Sequence, residues 1–161
     1  MFRQAKGFTL LELLIVLVIL GITFSFIVLS FGLKNPQDEL KEHGQRIAAL
    51  MQLASEESIL LGAELAMQFN SDSYAFLNLK NDAWLEIEND QIFRPRELPE
   101  YIQINVSVEG IAGSDNEIQQ RVYFFSSGEA SPFTLTLSLR DIDASYKVTG
   151  DSQAAIKHGD E

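Results

Sequence analysis

The chain has 161 residues and a formal net charge of −11, from 12 Lys and Arg against 23 Asp and Glu. An acidic surface repels phosphate backbones, so we expect no nucleic-acid binding. The absence of cysteine excludes disulfides, thiolate metal sites and cysteine catalysis. The length allows one modest domain and a long terminal element.

Residues 8–33 form an apolar segment with a single formal charge, on Glu12. As a helix these 26 residues would extend roughly 39 Å, more than a hydrocarbon core of about 30 Å. Arg3 and Lys6 precede the segment and acidic residues follow it, which predicts a single-pass span with a cytoplasmic N-terminus. The run exceeds the apolar region of an ordinary signal peptide, and no small-x-small cleavage site follows it.

Glu12 is the residue in this segment that needs a physical explanation, because an ionisable group in a membrane helix is costly. One interpretation is a capping box, since Thr9-x-x-Glu12 fits the S/T-x-x-E pattern before an apolar run. Capping alone leaves the short basic sequence that ends at Gly7 unexplained. Capping therefore stays open as one interpretation, beside any that also accounts for this leader.

The N-terminal pattern is a basic leader, Met1-Phe2-Arg3-Gln4-Ala5-Lys6-Gly7, followed by Phe8-Thr9-Leu10-Leu11-Glu12. It resembles the prepilin signal of type IV pilins and type II secretion pseudopilins. The resemblance implies removal of leader residues 1–7 by a prepilin peptidase that cuts between Gly7 and Phe8, and N-methylation of Phe8. It also implies that Glu12 pairs with the Phe8 amine of a neighbouring subunit and sets the register of a filament core formed by residues 8–33.

Residues 34–62 are predicted to continue as an amphipathic helix, bent or broken near Pro36 and ending at Gly62. Its predicted apolar face packs on a sheet and contains Leu40, Ile47, Leu50, Met51, Ala54, Ser58 and Leu61. Gly44 is expected to weaken this helix slightly. His43 lies away from the apolar face, where a solvated histidine is more probable than a metal ligand.

Residues 63–161 are predicted to form a periplasmic β-rich domain, which makes the fold class α+β with an antiparallel sheet. Two hairpins are expected, one from 64–69 with 73–79 and one from 83–88 with 91–94. Further strands are predicted at 101–108, 119–125, 133–140 and 145–148. The acidic tail from Gly150 to Glu161 is expected to be disordered.

The segment from Phe124 to Leu137 resembles the strand–turn–strand signature of H-type minor pseudopilins, with Ser127-Gly128-Glu129 as the turn. Ala83-Trp84, residues 94–99 and residues 46–62 also resemble that group. The resemblance implies a subunit near the tip of a periplasmic pseudopilus that supports export of folded proteins across the outer membrane. Its implied partners are other major and minor pseudopilins, the prepilin peptidase and inner-membrane lipid. Secreted proteins or the outer-membrane channel are further candidate partners.

Motifs of catalysis are missing from the sequence. His43 and His158 have no motif-like serine partner, and no phosphate-binding loop, G-x-S-x-G or H-E-x-x-H occurs. Asp141 and Asp143 are two carboxylates in an acidic protein, without calcium-loop spacing. We therefore expect no enzyme, no cofactor and no metal site. The alternatives are a minor pilin of a type IV pilus or competence system, and a single-pass periplasmic binding domain that never polymerises.

Overall fold

The structure is a computed structural model that describes residues 9–30, 35–109 and 120–160. The chain divides into two compact units, Met1–Lys34 and Asn35–Glu161. In the first unit, helix α1 spans Leu10–Ser30. Across the described ranges, no helix meets the length and apolarity required to cross a membrane.

The second unit begins with helix α2, Pro36–Leu61, which agrees with the predicted amphipathic helix. The Asn35 side chain caps its start by accepting from the N–H of Gln37 at 3.2 Å, and Pro36 occupies the first turn. Gly62 ends the helix with φ of 60°, the left-handed conformation that glycine adopts without steric cost. The bend or break predicted near Pro36 is confirmed as a break, because Asn35 is extended (φ −63°, ψ 127°) and α2 begins at Pro36. Residues 31–34 lie outside the described residues.

The apolar face of α2 is buried as predicted, with one exception, Leu61. Leu61 is 62% exposed, so its assignment to the core was wrong. Gly44 is buried against the ring of Tyr146, and a Cβ added there would lie 2.6 Å from Cε1 and 2.9 Å from Cγ of that ring. Gly44 therefore serves close packing of the helix, beyond any cost to helix propensity.

Nine strands are described after α2, and they form two antiparallel sheets. They are β1 Leu65–Phe69, β2 Ser73–Lys80, β3 Ala83–Glu86, β4 Arg96–Glu97, β5 Ile102–Val108, β6 Arg121–Phe124, β7 Phe133–Leu139, β8 Ser145–Gly150 and β9 Ile156–Asp160. The first sheet has the order β3-β2-β1-β6, with β4 also paired to β2. The second sheet has the order β5-β7-β8-β9.

The core lies between α2 and the inner faces of the two sheets. Strand β7 alternates buried and half-buried residues along its whole length, which places Phe133, Leu135, Leu137 and Leu139 inside. Tyr74 on β2 is also buried, and desolvation raises its pKa despite the opposing charges of Arg96 and Arg46. The predicted α+β class and the packing of α2 on a sheet are confirmed.

The predicted second hairpin, 83–88 with 91–94, is wrong. Strand β3 pairs instead with β2, and residues 91–94 form no strand. The Asp90 carboxylate accepts from the N–H groups of Ile92 and Phe93 at 2.7 and 2.9 Å, which also lowers the pKa of Asp90. This local turn directs Phe93 into the core, where its ring lies 4.9 Å from that of Phe76.

The expected disorder of the C-terminal tail is also wrong for residues 156–160. They form β9, which pairs with β8 from Tyr146↔Asp160 to Gly150↔Ile156. The hydroxyl of Tyr146 and Nδ1 of His158 are 2.5 Å apart and share a hydrogen bond across these two strands. His158 is therefore a strand residue.

Candidate functional site

The predicted N-terminal processing site, Gly7 and Phe8, lies outside the described residues. Just after it, Thr9 precedes α1 and Glu12 occupies the first turn of the helix. The N–H of Glu12 donates to the Thr9 hydroxyl and the Thr9 carbonyl, at 3.2 and 3.1 Å. Thr9 thus caps α1, and this bond is one half of a capping box. The Glu12 side chain is exposed.

Apart from Glu12 and Thr23, the described side chains of α1 are apolar, and they are exposed. Leu10, Leu14 and Leu17 are 90%, 59% and 60% exposed. Burying such side chains against other apolar groups would be favourable. Glu12 supplies one negative charge near the start of this apolar surface, shortly after the predicted cleavage position in sequence.

The turn at Ser127-Gly128-Glu129 forms as predicted. Gly128 has φ of 89°, and the N–H of Phe125 donates to the Glu129 carbonyl at 2.9 Å. The turn closes a short hairpin, in which Phe124 forms an antiparallel bridge with Ala130 and the N–H of Ser131 donates to the Tyr123 carbonyl at 3.0 Å. Beyond this hairpin the chain passes from the first sheet, which contains β6, to the second, which contains β7.

Two polar side chains attach this turn to the helix and to the first sheet. The buried hydroxyl of Ser58 on α2 lies 3.2 Å from the carbonyl oxygen of Phe125, to which it donates. The Glu64 carboxylate accepts from the Ser126 hydroxyl and N–H, at 2.9 and 3.3 Å. The role of Glu64 was missed, because nothing in sequence links two residues that are 62 positions apart.

Trp84 is a half-buried aromatic residue of strand β3. Its ring lies 5.2 Å from the ring of Tyr123, and Tyr123 in turn stacks on Phe125 at 6.4 Å. These three rings cover one face of the first sheet, on the side opposite α2. Ala66 and Leu77 lie beneath them and are 0% and 7% exposed.

The residues considered for metal or acid–base chemistry are not brought together. His43 is half-buried on α2, His158 is on β9, and Asp141 and Asp143 flank Ile142 in the β7–β8 turn. Of the residues that the structure describes, no three His, Asp or Glu side chains form a group that could hold a metal ion.

Two family models match the chain. "Type II transport protein GspH" matches residues 43–154, which contain most of α2 and the strands through β8. "Prokaryotic N-terminal methylation motif" matches residues 2–28, which include Gly7, Phe8 and Glu12. Together the two matches cover most of the predicted N-terminal segment and most of the predicted β-rich domain.

Curated relatives and a solved structure agree with these models. The type II secretion system protein H of Pseudomonas aeruginosa is 31% identical over 151 residues, which cover 86% of either chain. Its counterpart in Aeromonas hydrophila is 29% identical over 89% of this chain and 86% of its own. The crystal structure of the minor pseudopilin EpsH from the Vibrio cholerae type II secretion system matches with a TM-score of 0.65 and 26% identity, over 77% of this chain and 95% of that chain.

Proposed function

The chain belongs to the GspH family of type II secretion minor pseudopilins, and from that premise we propose a three-part function for its N-terminus. Residues 1–7 are a leader, residues 8–33 are a membrane anchor that becomes the filament core, and Glu12 sets the register of assembly. The observation that carries the proposal is the methylation motif over residues 2–28, on a helix whose described side chains are apolar and exposed.

Processing occurs between Gly7 and Phe8. Cleavage there removes Arg3 and Lys6 and leaves the whole apolar segment attached to the mature protein. The new amine on Phe8 is then methylated and stands four residues before the Glu12 carboxylate in sequence. The prepilin peptidase is thus a partner that acts on this chain, and this chain is its substrate.

Glu12 pairs with the Phe8 amine of a neighbouring subunit. In lipid, a carboxylate near the start of a span costs free energy that an opposite charge from an adjacent helix offsets. Because only one register brings the two charges together, the pair fixes the axial position of an incoming subunit. Thr9 supports this arrangement through the cap that it provides for α1.

Before assembly, the chain sits in the inner membrane with its N-terminus in the cytoplasm and residues 34–161 in the periplasm. The leader cations Arg3 and Lys6 favour this orientation. On assembly, the apolar helix exchanges lipid contacts for contacts with the helices of other pseudopilins. The subunit then lies near the tip of the pseudopilus that supports export of folded proteins.

Mass spectrometry of the chain purified from membranes of its own host tests this proposal. We expect a polypeptide that begins at Phe8 and carries one added methyl group on its terminal amine. In cells that lack the prepilin peptidase, the same chain is expected to begin at Met1 or Phe2 and to carry no methyl group.

A Gly7→Val variant gives the matched control, since it alters the cleavage position and keeps both leader cations. It is expected to retain residues 1–7 in cells with active peptidase. An intact N-terminus in the unmodified chain, or a cut after residue 33, would overturn the proposal and favour a single-pass domain that never polymerises.

A further inference from the structure

A continuous apolar surface runs from the end of α2 onto the outer face of the first sheet. Its members, called here the apolar band, are Ile59, Leu60, Leu61, Trp84, Tyr123 and Phe125. Three of them are consecutive on the last turn of α2, where exposure is 52%, 79% and 62%. An apolar cluster of this kind on an acidic domain is characteristic of an interface.

Three recorded contacts link the end of α2, the turn and the sheet within this band. The Ile59 side chain lies 3.5 Å from the position of a Cβ built on Gly128, so helix and turn are in van der Waals range. The turn holds Phe125, which is 37% exposed and stacks on Tyr123 with an angle of 17° between ring planes. Tyr123 then contacts Trp84 across the sheet.

Carboxylates border the band on several sides. Glu64 is bound to Ser126, next to Phe125, and Glu86 is two residues from Trp84 and opposite Leu77. Glu57 lies one turn before Leu60 on α2, and Glu129 follows Gly128 in the turn.

Positive charge is scarce on the same face. Arg121 lies on this face, where its Nε–H donates to the neutral side chain of Gln68 at 2.9 Å, and it contributes one positive charge. Lys80 pairs with Ala83 whereas Leu79 pairs with Trp84, so strand alternation places Lys80 on the opposite face from Trp84. Among the described residues of this face, negative charge therefore exceeds positive charge.

We propose that the apolar band is a docking surface for another protein subunit, one that presents an apolar side chain flanked by Lys or Arg. Aromatic residues are the usual anchors of such interfaces, and their faces attract guanidinium and ammonium groups. The bordering glutamates complement a basic partner and steer its approach. A second copy of this chain is disfavoured, because it would bring the same carboxylates together.

Photocrosslinking in the host cell tests this docking surface on the full chain. A photoreactive phenylalanine analogue is placed at Leu60 or Phe125, and each full-length pseudopilin of the same secretion system is tagged in turn as the probe. We expect both positions to give an adduct with the same fellow subunit. The matched control is Ile142, which is 45% exposed in the β7–β8 turn and is not part of the band, and it is expected to give none.

Charge-reversal variants test the role of the glutamates that border the band. Glu57→Lys with Glu86→Lys should lower the adduct yield from Phe125 at least about fivefold, because both changes repel a basic partner. Asp141→Lys with Asp143→Lys makes the same change in net charge next to Ile142 and should leave the yield unaltered. Equal yields from Phe125 and Ile142, insensitivity to the Glu57 and Glu86 changes, or an adduct between two copies of this chain would overturn the docking surface.

This inference rests on the proposed function, since the probes are fellow subunits of the filament. The two fail in distinguishable ways. A processed and methylated Phe8 with no adduct from Leu60 or Phe125 removes the docking surface and leaves the proposed function intact. An unprocessed N-terminus removes the proposed function whatever the crosslinks show.

Discussion

A Glu12→Gln variant is expected to be processed and methylated normally but to lose co-assembly with other pseudopilins by about tenfold or more, because removing one member of a buried ion pair leaves the other charge uncompensated. The amount of the chain in isolated filaments, relative to the amount in membranes, measures the effect. Gln keeps the shape and the backbone N–H of Glu12, so the substitution removes only the charge.

Thr9→Ala is the control that separates pairing from capping. It removes the hydroxyl that accepts from the Glu12 N–H and keeps the carboxylate. We expect a loss of helix stability of about 1 kcal/mol and almost normal incorporation into filaments. If Thr9→Ala reduced incorporation as much as Glu12→Gln, the cap of α1 would explain the importance of Glu12 and the register hypothesis would fail.

A Gly44→Ala variant is expected to destabilise the second unit by about 1–3 kcal/mol, the usual cost of overpacking a core. At an ordinary helix position this substitution would stabilise the helix by about 1 kcal/mol. The sign reverses here because the new Cβ overlaps the ring of Tyr146. Urea unfolding of the full chain in detergent micelles measures the difference.

The same substitution in a Tyr146→Ala background identifies the cause. With the ring removed, Gly44→Ala has room and should recover its ordinary stabilising effect on α2. The Tyr146→Ala protein is itself less stable than the unmodified chain. The effect of Gly44→Ala is therefore measured by comparing the Tyr146→Ala protein with the double variant. Equal destabilisation in both backgrounds would show that the Tyr146 ring is not what makes glycine necessary at position 44.

Local signals made the helix α2 and the first hairpin predictable. The end of α2 at Gly62 follows from a single residue that tolerates the left-handed conformation. Strands β1 and β2 pair from Leu65↔Asn78 to Phe69↔Tyr74 around a polar turn at residues 70–72, because alternation and turn residues are close together in sequence. Each of these features depends on contacts within a few residues.

Features that depend on tertiary contacts were mispredicted. Asn89 and Asp90 resemble a hairpin turn in composition, yet β3 pairs with β2 and Phe93 enters the core against Phe76. The tail residues from Ile156 onward are mostly polar and gave no strand signal, but they pair with β8 as an edge strand. Neither outcome can be predicted from the sequence without knowing which strand lies next to the segment in the fold.

The candidate site shows the same division. The leader, Phe8 and Glu12 were identified from a contiguous motif, and the methylation-motif model covers the same residues. The connections of Ser58 and Glu64 to the 125–126 segment join residues 67 and 62 positions apart. The aromatic contact of Trp84 with Tyr123 likewise spans the width of the first sheet, and periodicity alone could not have revealed it.

The central claim is that this chain becomes a subunit of a filament. Filaments released from the host and separated from membranes, then analysed by mass spectrometry, test it most directly. The account predicts that they contain this chain, beginning at methylated Phe8, together with other pseudopilins. Filaments that form normally without the chain, while it stays wholly in the membrane fraction, would contradict the account.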